Sequence, residues 1–423
     1  MGFLPRVTDV QRITILNPFR SDVAKWFSIS ANHCQVIEIV IVETDDPNII
    51  GYGETMIDYI AVSHKVTDQG IQRVKGHEVS EFMFDDSVGA GLQMALLDAT
   101  GKALEVPVHA LFEKTVVRES CPVSWWNMEA PAEVLAVEAE LAISKGYLSH
   151  KIKARPWFDI YEQIQAIDAV TPANYQIDID WNGQLLDAER AIPVIRKLLG
   201  NNKIGLFEDP IPRNDLHGQR RLLDICDKPL LTHFFEEWAR PQMDTRAVSG
   251  YVIDGGVSRV LEIGGEMDRR AMEGFIQLCG TGLTVALSLH LGAVIAGAKH
   301  PYVSMVTSFT HEILRDPLEV VAGYTKVPQS PGLGVVVDEA KINALTLHDK
   351  YPLELPRRIY SFYLDDGRVR IYTSVDQLWV DTSLSGEMPV QPERSSLGIR
   401  DDDGSVEFDA LFQRALAHPI WVS

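Results

Sequence analysis

Five short apolar runs in this 423-residue chain each close on groups able to move a proton or hold a cation: Lys151-Ile152-Lys153, Asp180-Trp181-Asn182, Glu208-Asp209-Pro210, Asp254-Gly255-Gly256 and His290. Charged residues at successive strand ends, roughly 25 to 45 residues apart, suit a (β/α)8 barrel, which gathers reactive side chains from several strands at one face. Lys151 and Lys153 are two positions apart, so an extended chain points both to the same side. Crowding two ammonium groups lowers their proton affinity, as a lysine acting as base near neutral pH requires. Two lysines, separated carboxylates and a histidine in one pocket suit a divalent cation flanked by proton-transfer groups.

The elements that must position these groups follow from hydrophobic pattern. VTDVQRITIL, QVIEIVIVETDD and, after the turn at Asp46-Pro47-Asn48, IIGYGE read as strands, the second with one wet face. From Ser87 to Phe112 the spacing of Leu92, Ala95, Leu96, Ala99 and Leu104 predicts helix, with Pro107 marking its end. A small α+β domain over residues 1–118 is therefore expected. Over 119–345, the strand-like pieces PVSWW, LSHKIKA, YQIDIDW, KIGLFED, KPLLTHF, GYVID, LTVALSLH and YVSMVTSF alternate with longer, mostly amphipathic segments. Strict alternation of this kind predicts a parallel sheet with helical crossovers, closed into a barrel. Residues 346–423 form an extension in which RRIYSFYLDDGRVRIYTSV reads as a hairpin around Asp365-Asp366-Gly367. Such an alternating edge is seldom left uncovered, so the extension is expected to pack on the N-terminal domain or a neighbouring subunit.

Composition narrows the function classes. Hydrophobic residues make up 46% and charged residues 23% of the chain, which is ordinary globular material. A net charge of -20 without a concentrated basic patch argues against nucleic acid or an anionic membrane as partner. Cys34, Cys121, Cys226 and Cys279 are scattered and form no CxxC pair, as expected of core thiols in a reducing compartment. The opening MGFLPRVTDVQRITIL lacks a basic region followed by a sustained apolar segment, and a cytoplasmic location is expected.

In this order, Gly51-Tyr52-Gly53-Glu54, the helix Met94 to Phe112, the KIK, DWN and EDP motifs, Asp254 with its glycines, His290 and Pro331-Gly332-Leu333-Gly334 resemble the mandelate racemase subgroup of the enolase superfamily. The resemblance implies an N-terminal capping domain over a modified barrel, and Mg2+-assisted removal of the proton next to a carboxylate. It places Asp180 and Glu208 as the first two metal ligands. The family's third ligand position is occupied by Phe234; Glu236, two residues on, keeps the inward parity of an extended chain. Glu236 is preferred over Glu237 and His233, which have the opposite parity, and imidazole is softer than Mg2+ usually takes. The resemblance makes Lys153 the base and Lys151 its support at the substrate carboxylate. Asp254 and His290, expected on the sixth and seventh strands, would form a second acid/base dyad. The absence of any lysine between Lys228 and Lys299 favours His290 over the sixth-strand lysine of the muconate-lactonising subgroup. Glu312 would donate a hydrogen bond to the substrate carboxylate and so needs a raised pKa. Asn182 and Asp209 would orient the ligands, while Phe19, Lys25 and Trp26 in the early loop would contact substrate.

Together these expectations describe a Mg2+-dependent lyase that dehydrates a sugar acid to a 2-keto-3-deoxy acid, homo-oligomeric, with a small carboxylate as its partner. A racemase or epimerase on the same scaffold is the first alternative. A non-catalytic ligand-binding or assembly module is the alternative of another class.

Overall fold

A computed structural model describes residues 4–57, 64–348, 357–384 and 388–422. The chain divides into two compact units assembled from separated stretches: 1–24, 33–126 and 250–351 form the first, and 25–32, 127–249 and 352–423 the second.

In the first unit, the strands Val7–Leu16, Val36–Thr44 and Ile50–Met56 form an antiparallel meander, as their alternation predicts. The helix Ala90–Ala103 packs on it, and Val40, Val42, Leu92, Ala95, Leu96 and Ala99 share one core. Gly51 and Gly53 allow that close approach, since a Cβ at either would lie 2.0 Å from the carbonyl oxygen of Ala95 or Gly91. The next residue of the motif, Glu54, accepts from the backbone N–H groups of Thr281 at 2.8 Å and Thr284 at 2.7 Å. Thr281 is the N-cap and Thr284 a first-turn residue of the helix Gly282–Val294, and the N–H groups at a helix start have no partner within the helix. The Gly-Tyr-Gly-Glu motif is thus a packing and capping device.

Gly250–Ile253 and Glu273–Ile276 pair in parallel within the same unit, and the helix Val257–Arg269 connects them. Here the structure corrects two sequence expectations. The run Leu283 to His290, expected as the seventh strand, is the middle of the Gly282–Val294 helix; the strand preceding it is Glu273–Ile276. A continuous apolar run carries no periodicity that separates a buried strand from a buried helix, and at 13 residues this one is helix length. The second correction concerns YVSMVTSF, which makes only isolated bridges, Tyr302 with Val123, Val303 with Gln277 and Phe309 with Phe19, around the short turn of helix Val306–Ser308.

In the second unit, Ser149–Lys153, Gln176–Asp180, Ile204–Glu208 and Leu230–His233 lie side by side in parallel. The helices between them start at aspartates that accept first-turn N–H groups: Asp159 before Ile160–Val170, Asp187 before Ala188–Leu198 and Asp215 before Leu216–Leu223. The hairpin expected around Asp365-Asp366-Gly367 forms from Arg358–Tyr363 and Val369–Tyr372, flanked by Ser396–Asp401 and Ile420–Val422. Tyr360, Phe362 and Tyr372 of this sheet share a core with Ile29, Trp157 and Phe158. The extension therefore packs on the segment that follows Lys153 and on residues 25–32.

Candidate active site

Strand register assembles the site. Lys153 pairs with Asp180, and Asp180 with Glu208, so three charged side chains stand in one row on adjacent strands, about 4.8 Å apart per step. Lys151, two residues earlier, shares their face. All four side chains are buried. Lys151 Nζ lies 2.5 Å from Glu208 Oε2 and 3.5 Å from Asp180 Oδ2, while Lys153 Nζ donates to Asp180 and, at 3.1 Å, to Asn182 Oδ1. Two cations and two carboxylates out of water balance only as a set.

Burial lowers the Lys153 ammonium below its ordinary value of 10.5; Asp180 opposes this, and Lys151 and Arg155 add to it. Burial alone would raise the Asp180 carboxyl, but Lys153 and Lys151 outweigh it and hold the group well below the usual range. A lysine with reduced proton affinity beside a firmly ionised carboxylate is the division of labour a base and a metal ligand require.

The backbone turns sharply after each carboxylate. Asn182 and Asp209 adopt left-handed conformations, with φ of 49° and 41°, a region that Asn and Asp tolerate better than most residues. The Asn182 N–H donates to Asp180 Oδ1 at 2.8 Å, which fixes the carboxylate. Asp209 is occupied by Arg213, 2.5 Å from Nη2 to Oδ2, and by the Thr232 hydroxyl. Both residues thus brace the row from behind.

Arg155 continues the every-second-residue series 151, 153, 155, the one signal in the sequence for its place here. It is buried, donates to Asn182 Oδ1 at 2.9 Å, and its guanidinium carbon lies 4.8 Å from the ring centre of Trp379 in the extension. Glu129, which accepts from Ser30, stands 3.8 Å from Arg155 Nε. Of the early-loop residues, Trp26 packs edge-on against Phe158 at 5.8 Å, and Lys25 sits 5.3 Å over the Trp26 ring. Phe19 belongs to the first unit, where it is buried and stacked on Phe309.

Register brings His233, and not Glu236, to the face of the row. Glu208 pairs with Leu231, so the next residue on that face is His233, two positions on. Its Nε2 lies 3.2 Å from Glu208 Oε1. Glu236, placed inward by counting parity from Phe234, is instead the exposed first residue of the helix Glu236–Thr245. Extended-chain parity lapses at a helix start. Neither buried oxygen of Glu208 accepts a hydrogen bond of good geometry among the described residues, despite the short approaches of Lys151 and His233. With Asp180 and Glu208 as oxygen donors and imidazole beside them, the set fits a divalent cation.

His290 has a different setting from the one expected. In its helix it is fully buried; Nδ1 accepts the His109 N–H at 3.3 Å and faces the His109 ring at 3.0 Å, while Nε2–H donates to the Leu333 carbonyl at 3.1 Å. Burial, reinforced by His109, holds its pKa down to about 3. Both ring nitrogens are committed to tying the Pro-Gly-Leu-Gly loop and the Val108–Leu111 turn to the helix. His290→Ala is expected to lose about 1–3 kcal/mol for each partner left unsatisfied, read from denaturant unfolding. Turnover per folded molecule should stay within about tenfold of the parent, less than the 10²- to 10⁴-fold that loss of an acid/base group brings. Asp254 directly follows the Gly250–Ile253 strand, and its carbonyl accepts from Arg259 at 3.3 Å. Glu312 accepts the Leu314 N–H at 3.0 Å, and burial raises its carboxyl, the direction a hydrogen-bond donor needs.

Known proteins resemble this chain in sequence and in fold. Residues 134–341 match the enolase C-terminal domain-like family, MR_MLE_C. The chain is 24% identical over 342 residues to arabinonate dehydratase of Saccharolobus solfataricus, covering 73% of this chain and 90% of that one. The structure of 2-chloromuconate cycloisomerase from Rhodococcus opacus 1CP superposes with a TM-score of 0.66 at 20% identity, covering 81% of this chain and 99% of the other. An enolase from Thermobispora bispora DSM 43833, complexed with magnesium and formate, gives 0.64 at 21% identity, covering 81% and 92%. The fold is the modified (β/α)8 barrel with an N-terminal capping domain. Residues 134–341 therefore belong to the enolase C-terminal domain-like family. Among the described residues no helix is long and apolar enough to cross a membrane.

Proposed function

We propose that the chain removes the proton alpha to the carboxylate of a small hydroxylated acid and expels the β-hydroxyl as water, giving a 2-keto-3-deoxy acid. The observation that carries this reading is the buried row of Lys151, Lys153, Asp180 and Glu208. A divalent cation held by Asp180, Glu208 and a donor at the end of Leu230–His233 would supply the positive charge that stabilises the enediolate.

The residues supply the rest. Neutral Lys153 takes the alpha proton as the C–H bond breaks, and Lys151 keeps its charge beside the substrate carboxylate. The ammonium formed on Lys153 then returns its proton to the departing β-hydroxyl, which leaves as water on the same face. The enol left behind tautomerises to the keto acid. One lysine therefore serves as base and then acid. Racemisation would need a second acid on the opposite face, and His290, fully buried with both nitrogens committed, is poorly suited to it. A dehydratase among the relatives supports the same choice.

The test is incubation with aldonic, uronic and aldaric acids and a divalent cation in D2O, with keto acid and alpha-deuteration followed together. Keto acid is expected from at least one of them. Epimers without keto acid would replace dehydration by epimerisation, and neither product nor exchange across the set would favour a non-catalytic binding module.

A further inference from the structure

We infer that His233 supplies a nitrogen ligand beside Glu208, and that this site therefore prefers a borderline transition metal such as Co2+ over Mg2+. The inference rests on the reading that the Asp180 and Glu208 row holds a divalent cation, and it changes the identity of that cation.

Five observations carry it. The register places Leu231 opposite Glu208 and so turns His233 to the same face, at the last residue of its strand. His233 Nε2 lies 3.2 Å from Glu208 Oε1, a separation at which one cation can take both atoms as ligands. Glu208, Asp209 and His233 each offer a donor atom, all within 4.8 Å of one another, while Asp209 is engaged by Arg213 and Thr232. Glu208 is buried and neither of its oxygens accepts a well-formed hydrogen bond among the described residues. The two remaining acidic candidates, Glu236 and Glu237, are both exposed at the start of the following helix. Mg2+ seeks oxygen donors in near-ideal octahedra, whereas imidazole suits later divalent metals, whose affinity for such sites rises along the series from Mn2+ to Co2+.

The experiment uses the full-length protein stripped of metal and titrated separately with Mg2+, Co2+ and Mn2+ by calorimetry. Co2+ should bind about tenfold or more tightly than Mg2+. With Mn2+ bound, pulsed electron paramagnetic resonance should show nitrogen-14 modulation from a directly bound imidazole. In His233→Asp that modulation should vanish and the preference for Co2+ over Mg2+ should fall by about tenfold. Glu236→Gln should change neither. If His233→Asp fails to fold, His233→Gln takes its place. Bound Mn2+ without nitrogen modulation, or modulation that survives loss of His233, overturns the inference and leaves the cation site standing. Failure to bind any of the three metals overturns both.

Discussion

Replacing Lys153 by alanine is expected to lower kcat by about 10²- to 10⁴-fold while the protein still unfolds in one cooperative transition. The lysine is buried between Asp180 and Asn182, and burial lowers its proton affinity. A base is active in its neutral form, so kcat/KM should rise with pH through the Lys153 titration and level off above it. Because the group is shifted down, the midpoint of that limb should fall below 10.5. In Lys153→Ala the limb should disappear along with the rate. A variant that keeps both rate and limb would remove Lys153 from the chemistry.

The largest effect on stability is expected from Glu208→Leu. Lys151, Lys153, Asp180 and Glu208 form a neutral set, and removing one carboxylate leaves a cation in excess in a site closed to water. Breaking a buried pair in this way costs about 3–5 kcal/mol, most of it from the charge left behind. Adding Lys151→Met should restore much of that loss, since the remaining Lys153 and Asp180 balance each other, yet the double variant should stay inactive. Denaturant unfolding of the parent, both single variants and the double closes the cycle. Additive losses would mean the two side chains do not act as a pair.

The same row explains how far the sequence could be read. Lys151, Lys153, Asp180 and Glu208 were legible because each ends a short apolar run with clear strand pattern, and parity on a strand is a physical rule. His233 falls on the wrong side of a parity count from Phe234, because the strand's face is set by pairing with its neighbour, which a single sequence does not contain. His290 was misplaced for a different reason. Its run is apolar on every side, so nothing in the pattern distinguishes a strand feeding a pocket from a helix crossing the interior. The hairpin at Asp365-Asp366-Gly367 was plain from turn chemistry, but its seat on Trp157 and Phe158 depends on surfaces far apart in the chain.

That seat orders events during synthesis. The strand bearing both lysines is translated well before the residues that hold the loop beyond it. Trp379 lies over Arg155, Gln391 accepts from the Trp181 indole at 3.1 Å, and the Arg394 N–H donates to Asp159 at 2.6 Å. Near the other terminus, Ser28 accepts from Arg358 at 2.8 Å. Contacts of such long range close last in folding, because the intervening chain must be ordered first. A nascent chain can therefore display the lysines before the brace that orients their surroundings has been made.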